Sequence, residues 1–315
     1  MRDLPNSNRE MTTRPQWLAF GFLCALSIAA GWHSLTQTLA LALHEDAYTH
    51  ILLILPLSLA LVYLHLATAQ TNSCQTDSHE ANSQRTISQS TIVSGIAVLA
   101  VSGLLIGLGR WGQATMPAGV PLALTMAALV VWWIGSVLLC FGVDVFRALL
   151  FPVCFLFLLV PLPGAMLNEV VSGLQHQSAF AARILFRVID VPATQDGIML
   201  SIPGLDIEVA PECSSIRSSM MLLVVTLVLA HLFLRSWWCK GVLIVAAIPL
   251  SIAKNGLRIF TIGELGTRVD PGFLDGRLHH HGGIIFFGIA VIAISAVLLL
   301  LRLIEFPLRE RPRAT

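Results

Sequence analysis

Three short polar clusters interrupt an otherwise apolar chain, and their residue types are those of thiol chemistry. The first is APECSSIRSSMM, which sets Cys213 directly ahead of a hydrophobic run, with Glu212 before it and Arg217 one turn on. Pro211 and the Ser214–Ser215 pair suit the start of a helix, where either serine can cap. A thiol there feels the positive end of the helix dipole, and Arg217 adds charge of the same sign. Both favour the reactive thiolate, whereas Glu212 opposes it unless its carboxylate turns away. The second cluster is AKNGLRIF, with Lys254, Asn255 and Arg258 read as closing the outer end of a span. Charges so placed face protein or water, although Lys254 can instead snorkel to the interface. Arg258, four residues on and on the same face, can bind a carboxylate or stabilise an oxyanion. The third is LHHHGGIIFF, opening the last span, where one of His279, His280 and His281 can act as general base or acid. Adjacent histidines on a helix diverge, and no HExxH or paired CxxC occurs, so no metal site is expected. Thiolate attack on a peptide carbonyl, proton transfer by histidine and oxyanion binding by arginine together make thiol-based acyl transfer.

The elements that must position these groups are set by composition. Of 315 residues, 56% are hydrophobic and only 12% charged. Soluble domains carry roughly twice that share of charge, so a soluble enzyme and a disordered chain are excluded. The net charge of +1 provides no field for a nucleic-acid partner. The apolar runs are near 20 residues long rather than alternating ten-residue segments. The fold class is therefore an all-α polytopic membrane protein, not an outer-membrane barrel. Eight spans are expected: Trp17–Leu35, Ile51–Ala69, Ile92–Leu108, Pro121–Phe141, Ala148–Pro161, Ile216–Leu234, Gly241–Ile259 and Gly282–Leu301. The fifth contains Pro152 and ends at Pro161 and Pro163, so a kink or interruption is expected there. The first is too long, and lacks a small-x-small site after it, to be a removed signal peptide.

Lysine and arginine set the orientation. Arg2, Arg9 and Arg14 precede the first span, Arg302, Arg309, Arg311 and Arg313 follow the last, and Leu35–His50 has neither residue type. Both termini are placed in the cytoplasm of a cell whose inner (plasma) membrane the chain crosses, with the three clusters facing the periplasm or outside. The expected organisation is a cytoplasmic N-terminus over 1–16, a membrane domain over 17–301 and a basic tail over 302–315. Within it lie a cytoplasmic Ser/Thr/Gln/Asn-rich linker over 70–90 and an outer segment over 163–211. No further domain is expected after the eighth span. The outer segment reads as an amphipathic helix, Met166–Ile189, with Gln175, Arg183 and Arg187 on its polar side, then a short hairpin with turns at Asp196–Gly197 and Pro203–Gly204. This topology buries Cys24, Cys140 and Cys154 in spans, turns Cys74 and Cys239 to the cytoplasm, and leaves Cys213 alone at the outer surface. That isolation is a first pointer to a nucleophile; on its own the cysteine still reads more readily as a small buried hydrophobe, and it is the neighbours Arg217, Ser214 and Ser215 that shift the balance.

At this point the residues resemble a known family, the exosortase/archaeosortase family of membrane-embedded cysteine transpeptidases. ECSSIRS is similar to its E-x-C-S-G-x-R-S signature at Cys213 and Arg217, and NGLRI to its N-x-x-R-I motif at Asn255 and Arg258. HHHGGIIFF is similar to H-x-x-x-G-x-x-x-F, aligned on His279, Gly283 and Phe287. FPVCFLFLLVPLP, LQHQSAFAARIL and the stretch around Tyr48 and His50 resemble further family segments, so the likeness runs from about Glu45 to Phe287. Ser215, Ile51 and Asp190 stand where the family commonly has glycine.

The resemblance implies catalytic roles for Cys213, Arg258 and His279, with Arg217, Asn255, His280 and His281 as supporting or alternative residues, and His50 as the next base to consider. It implies no cofactor. The implied substrates are secreted proteins bearing a C-terminal Pro-containing motif, a transmembrane helix and a basic tail. These would be cleaved and transferred to a lipid or polysaccharide acceptor at the cell surface, in connection with exopolysaccharide biosynthesis, with membrane lipid as the surrounding partner. The rivals are a plain hydrolytic membrane protease and a non-enzymatic subunit of polysaccharide assembly or export. The topology makes its own prediction: a membrane-impermeant thiol reagent applied to intact cells labels Cys213 and leaves Cys239 untouched, and labelling of Cys239 would refute the orientation.

Overall fold

The computed structural model describes residues 7–73, 89–209, 216–270, 272 and 283–308. Among the described residues six helices are long and apolar enough to cross a membrane singly, and the number reaches eight if each of two bent pairs is one span, in accord with an all-α polytopic protein. The chain divides into two compact units, Met1–Gly164 and Ala165–Thr315.

The first unit opens with α1 (Ser7–Ala30) and α2 (Trp32–His44), which break at Gly31 and bend by 71°. The first span is thus two helices rather than one. Beyond them, α3 (Ile51–Ser73), α4 (Gln89–Trp111) and α5 (Val120–Ala148) follow. Helices α4 and α5 run antiparallel with their backbones nearly touching: a Cβ on Gly95 would lie 3.1 Å from the Leu139 nitrogen, and one on Gly109 3.2 Å from the Pro121 carbonyl oxygen. Small residues permit such contact between membrane helices, and Ser102 Oγ seals it by donating to the Ala128 carbonyl at 2.7 Å. Helix α1 lies antiparallel to α5, with Trp132 Nε1 donating to the Leu23 carbonyl and Trp133 Nε1 to Ser27 Oγ. The expected fifth span is only a short helix, α6 (Leu150–Phe155), continued by a 3₁₀ turn over Leu156–Leu159. Val160 then turns extended, as a residue before proline must, and Pro161 and Pro163 prevent any resumption.

The second unit begins along α7 (Gly164–Val188). Asp190 ends it in the left-handed region, φ +59°, with the Val191 amide donating to the Phe186 carbonyl. This is a left-handed helix cap, which explains why glycine is the natural occupant and why aspartate, the next most tolerant type, can stand there. The expected hairpin is a three-stranded antiparallel sheet, β1 (Thr194–Asp196), β2 (Met199–Ile202) and β3 (Leu205–Glu208). Its turns fall at the two predicted places, with Gly197 at φ +62° and Gly204 at φ +84°. Ala179, Ala182 and Phe186 of α7, Leu200 and Ile202 of β2, Val209 and Ile259 form its core. Contrary to expectation, Gln175 is not on the solvated side of α7. It is buried and donates from Nε2 to the Val209 carbonyl at 2.6 Å, because that carbonyl leaves the sheet with no ladder partner.

Helices α8 (Ile216–Phe233), α9 (Trp237–Arg268) and α10 (Gly283–Leu308) pack through Leu222, Leu243, Ala247, Ile294 and Leu298. The Glu305 carboxylate near the end of α10 accepts from the Arg235 and Ser236 amides at 3.2 and 2.8 Å, which fixes α10 antiparallel to α9. Helix α9 runs well past the expected end at Ile259. No proline intervenes, Ile262 is buried, and Glu264 pairs with Arg268 at 2.7 Å. Lys254 to Arg258 therefore lie in the interior of a helix and do not close it. At the same level α9 meets α7: a Cβ on Gly256 would fall 2.5 Å from Ala181 Cβ and 3.0 Å from the Ala182 nitrogen. Gly256→Val is expected to push the two helices apart and to cost about 1–3 kcal/mol, read as a lowered unfolding midpoint of the detergent-solubilised protein.

Candidate functional site

Ser251, Lys254, Asn255 and Arg258 are spaced by three, four and seven residues, so a 3.6-residue period brings them onto one face of α9. That face is buried: Lys254 is 5% exposed, Asn255 1% and Arg258 9%. Two cations held away from water within a turn of each other are costly unless polar groups meet them. Helix α8 supplies such groups from its first turn. Lys254 Nζ donates to Ser218 Oγ, and Ser251 Oγ donates to Ser219 Oγ. The sequence singles out Lys254 but none of the three serines. The available signal was a run of hydroxyls, Ser218–Ser219, directly after Arg217, and a lone Ser251 one heptad before Arg258.

This ladder sets the relation of the two helices. Because α8 and α9 run antiparallel, the first turn of α8 stands level with Ser251 and Lys254, and Arg258 lies one turn further on, beyond where α8 starts. Ile216, which opens α8, is buried. Arg217 beside it is exposed.

The chain reaches this region from the other side through Val209. Its side chain is fully buried in the core that contains Ile259, and its carbonyl is held by Gln175. Phe260, next to Ile259, stacks edge-on against Phe186 with ring centroids 5.0 Å apart. Gly263 leaves room for Phe186 and the Ile207 side chain, whose nearest atoms would approach an added Cβ to 2.9 and 3.0 Å. Both chain ends that flank residues 210–215 are thus anchored on the 251–260 stretch of α9. Cys213, and with it Glu212, lies outside the described residues, as do His279, His280 and His281. Helix α10 begins two residues after the last of these histidines, and Phe287, one turn in, packs against the α8–α9 core.

His50, the alternative base, belongs to the first unit. It is buried, with Nδ1 donating to the Ala47 carbonyl at 3.1 Å, while Tyr48 donates its hydroxyl to the Leu162 carbonyl at 2.7 Å. Tyr48 thereby ties the start of α3 to the proline-rich turn after α6.

Together these features define a polytopic α-helical membrane protein that holds a buried arginine–asparagine–lysine stripe beside the start of a second span. The chain matches the family described as Transmembrane exosortase (Exosortase_EpsH) over residues 42–296, and it belongs to that family. No curated protein and no solved structure matches it.

The ladder is open to a direct test. Ser218→Ala leaves the Lys254 ammonium short of an acceptor and is expected to destabilise by about 1–3 kcal/mol. Adding Lys254→Met removes the stranded charge and should recover much of that loss. A double-mutant cycle on unfolding in detergent measures the coupling, and additive effects would show that the contact contributes nothing.

Proposed function

We propose that the protein is a membrane cysteine transpeptidase, with Cys213 as nucleophile, Arg258 as oxyanion ligand and His279 as proton carrier. It cleaves the C-terminal sorting signal of exported proteins and transfers them to a surface acceptor. The observation that supports this reading most is that Val209, which precedes residues 210–215, packs with Ile259 of α9, while α8, which follows them, bonds from its first turn to Ser251 and Lys254. Cys213 is four residues from Val209 and three from Ile216. At no more than ~3.6 Å per residue its Cα stays within ~11 Å of that of Ile216, at the level where α9 carries its buried cations.

The Cys213 thiolate adds to the scissile carbonyl, and the negative charge passes to the carbonyl oxygen, facing the Arg258 guanidinium. Collapse of that adduct breaks the C–N bond, the imidazolium gives its proton to the departing amine, and a thioester remains on sulfur. The neutral imidazole then takes a proton from the acceptor's hydroxyl or amine as it attacks the thioester, which returns the thiolate and releases the transferred protein. A cationic stripe buried away from water is suited to this, since its attraction for a developing oxyanion is weakly screened there and needs little reorganisation. Asn255 supports Arg258 from the same face, and Arg217 adds positive charge beside the nucleophile's helix. The substrate's own helix enters from the bilayer, where α7 carries an exposed apolar stripe of Met166, Val170, Phe180, Ile184 and Val188. The inner membrane, with the reacting groups facing the periplasm, is the location that fits an exported substrate.

The test is processing of a tailed substrate in cells. Cys213→Ala is expected to abolish it while leaving a folded, inserted protein, and Cys213→Ser to be nearly as inactive. Arg258→Lys keeps the charge but loses the planar fork, and a loss of about 10²–10³ in rate is expected. Among the histidines only His279→Ala should match that loss. Normal processing by Cys213→Ala would overturn the enzyme reading in favour of a non-enzymatic subunit. A product ending in a free carboxylate would show that water is the acceptor.

A further inference from the structure

The first unit contains a cleft that the reaction above does not use. It has two adjoining chambers, of about 380 and 200 Å³, which share His33, Ser34, Gln113 and Thr125 in their walls. The larger is completed by Gln37, Met116 and the Pro117–Leu122 stretch, where Gly119 turns left-handed at φ +86°. The smaller is walled by Arg110 and by Leu26, Ile106, Leu129 and Trp132. The cleft exists because of the helix break at Gly31, which swings α2 away from the axis of α1 and opens the space between the bend, the end of α4 and the start of α5.

Its chemistry is graded along the axis of α5. The polar groups sit at the ends of helices, whereas Leu129 lies nine residues into α5, ~14 Å deeper at 1.5 Å per residue. Among the described residues neither chamber has a carboxylate in its wall. Among the described residues of the first unit, Arg110 is also the one lysine or arginine at this end; Arg9 and Arg14 lie in the first turns of α1 and Arg147 in the last turn of α5, at the other end. A cation retained where the neighbouring loops have none, at the mouth of an apolar slot, suits an anion that brings a hydrocarbon chain with it.

We propose that this cleft holds an anionic glycerophospholipid. Its phosphate meets the Arg110 guanidinium, with His33, Gln37 and Gln113 as hydrogen-bonding partners, and the first part of one acyl chain lies against Leu26, Ile106, Leu129 and Trp132. Arginine is matched to phosphate by its forked donors. A zwitterionic head group finds no acidic partner for its ammonium. A peptide helix, ~10–12 Å across with its side chains, is too wide for the smaller chamber. The inference rests on the geometry of the first unit alone and needs no role for Cys213.

The experiment uses the full chain reconstituted in vesicles of equal parts phosphatidylglycerol and phosphatidylcholine. The lipid retained after detergent extraction is read by native mass spectrometry. The wild type is expected to keep phosphatidylglycerol in clear excess, and Arg110→Gln to reduce that preference about tenfold. Arg110→Lys should restore part of it, and Arg147→Gln, at the far end of α5, should leave it unchanged. If Arg110→Gln fails to fold, the pair Gln37→Leu and Gln113→Leu provides the same reading. Unchanged retention in these variants overturns the proposal. So does displacement of the bound lipid by free glycerol phosphate at equal concentration, which would mean that the head group alone is recognised. Because the readout is bound lipid and not substrate processing, an inactive or active Cys213→Ala has no bearing on it.

Discussion

A lysine and an arginine within one turn of each other, buried in a helix that crosses hydrocarbon, are the constraint around which the second unit is arranged. Each such charge costs about 2.5–3.5 kcal/mol to place at the centre of a spanning helix. The protein offsets that cost with neighbours rather than by letting the side chains reach for water. Helix α8 is therefore held with its first turn against Ser251 and Lys254, so that its hydroxyls are available. Helix α7 is held so close to Gly256 that backbone and side-chain methyl meet. The small sheet sits over the next turn of α9, where Ile259 and Phe260 receive it. The stripe that is expensive to bury is thus met from three sides, by α7, α8 and the sheet.

The first unit solves a different problem with the same means. Its helices carry almost no charge, and glycines at 95, 109 and 135 let α4 and α5 approach until serine can reach across to a main-chain carbonyl. Where the backbone is not helical, the exposed carbonyls are met individually, as Tyr48 meets Leu162 and Ser58 meets Pro152. Irregular backbone inside a membrane protein is tolerated only on those terms.

Much of this was legible in the sequence. Apolar runs near 20 residues gave the spans, and the three prolines at 152, 161 and 163 announced the broken one, because their effect on the backbone is local. The two turns of the sheet were readable for the same reason, since Asp-Gly and Pro-Gly state their geometry in two residues. The break at Gly31 was not, because a single glycine in an apolar run carries no instruction to bend; packing against α5 decides it. The length of α9 was missed because polar residues after Ile259 looked like a loop, whereas Glu264 and Arg268 support one another along a helix. Arg258 and Asn255, singled out by type and spacing, lie on the buried face of α9. Gln175 was misplaced because glutamine is ordinarily a surface residue, and only the three-dimensional position of the Val209 carbonyl turns it inward.

The bond from Glu305 to the turn between α8 and α9 has a bearing on how the protein is made. The acceptor follows the amides it caps by some seventy positions in the chain. As the polypeptide leaves the ribosome, the α8–α9 hairpin with its two buried cations enters the bilayer while those amides still lack their carboxylate. The hairpin thus waits, incompletely tied, for a helix not yet translated. Arrival of α10 closes the turn and fills the groove along Leu222 and Ala247 in a single event. Completion of the α8–α9 turn is in that sense deferred to the insertion of α10.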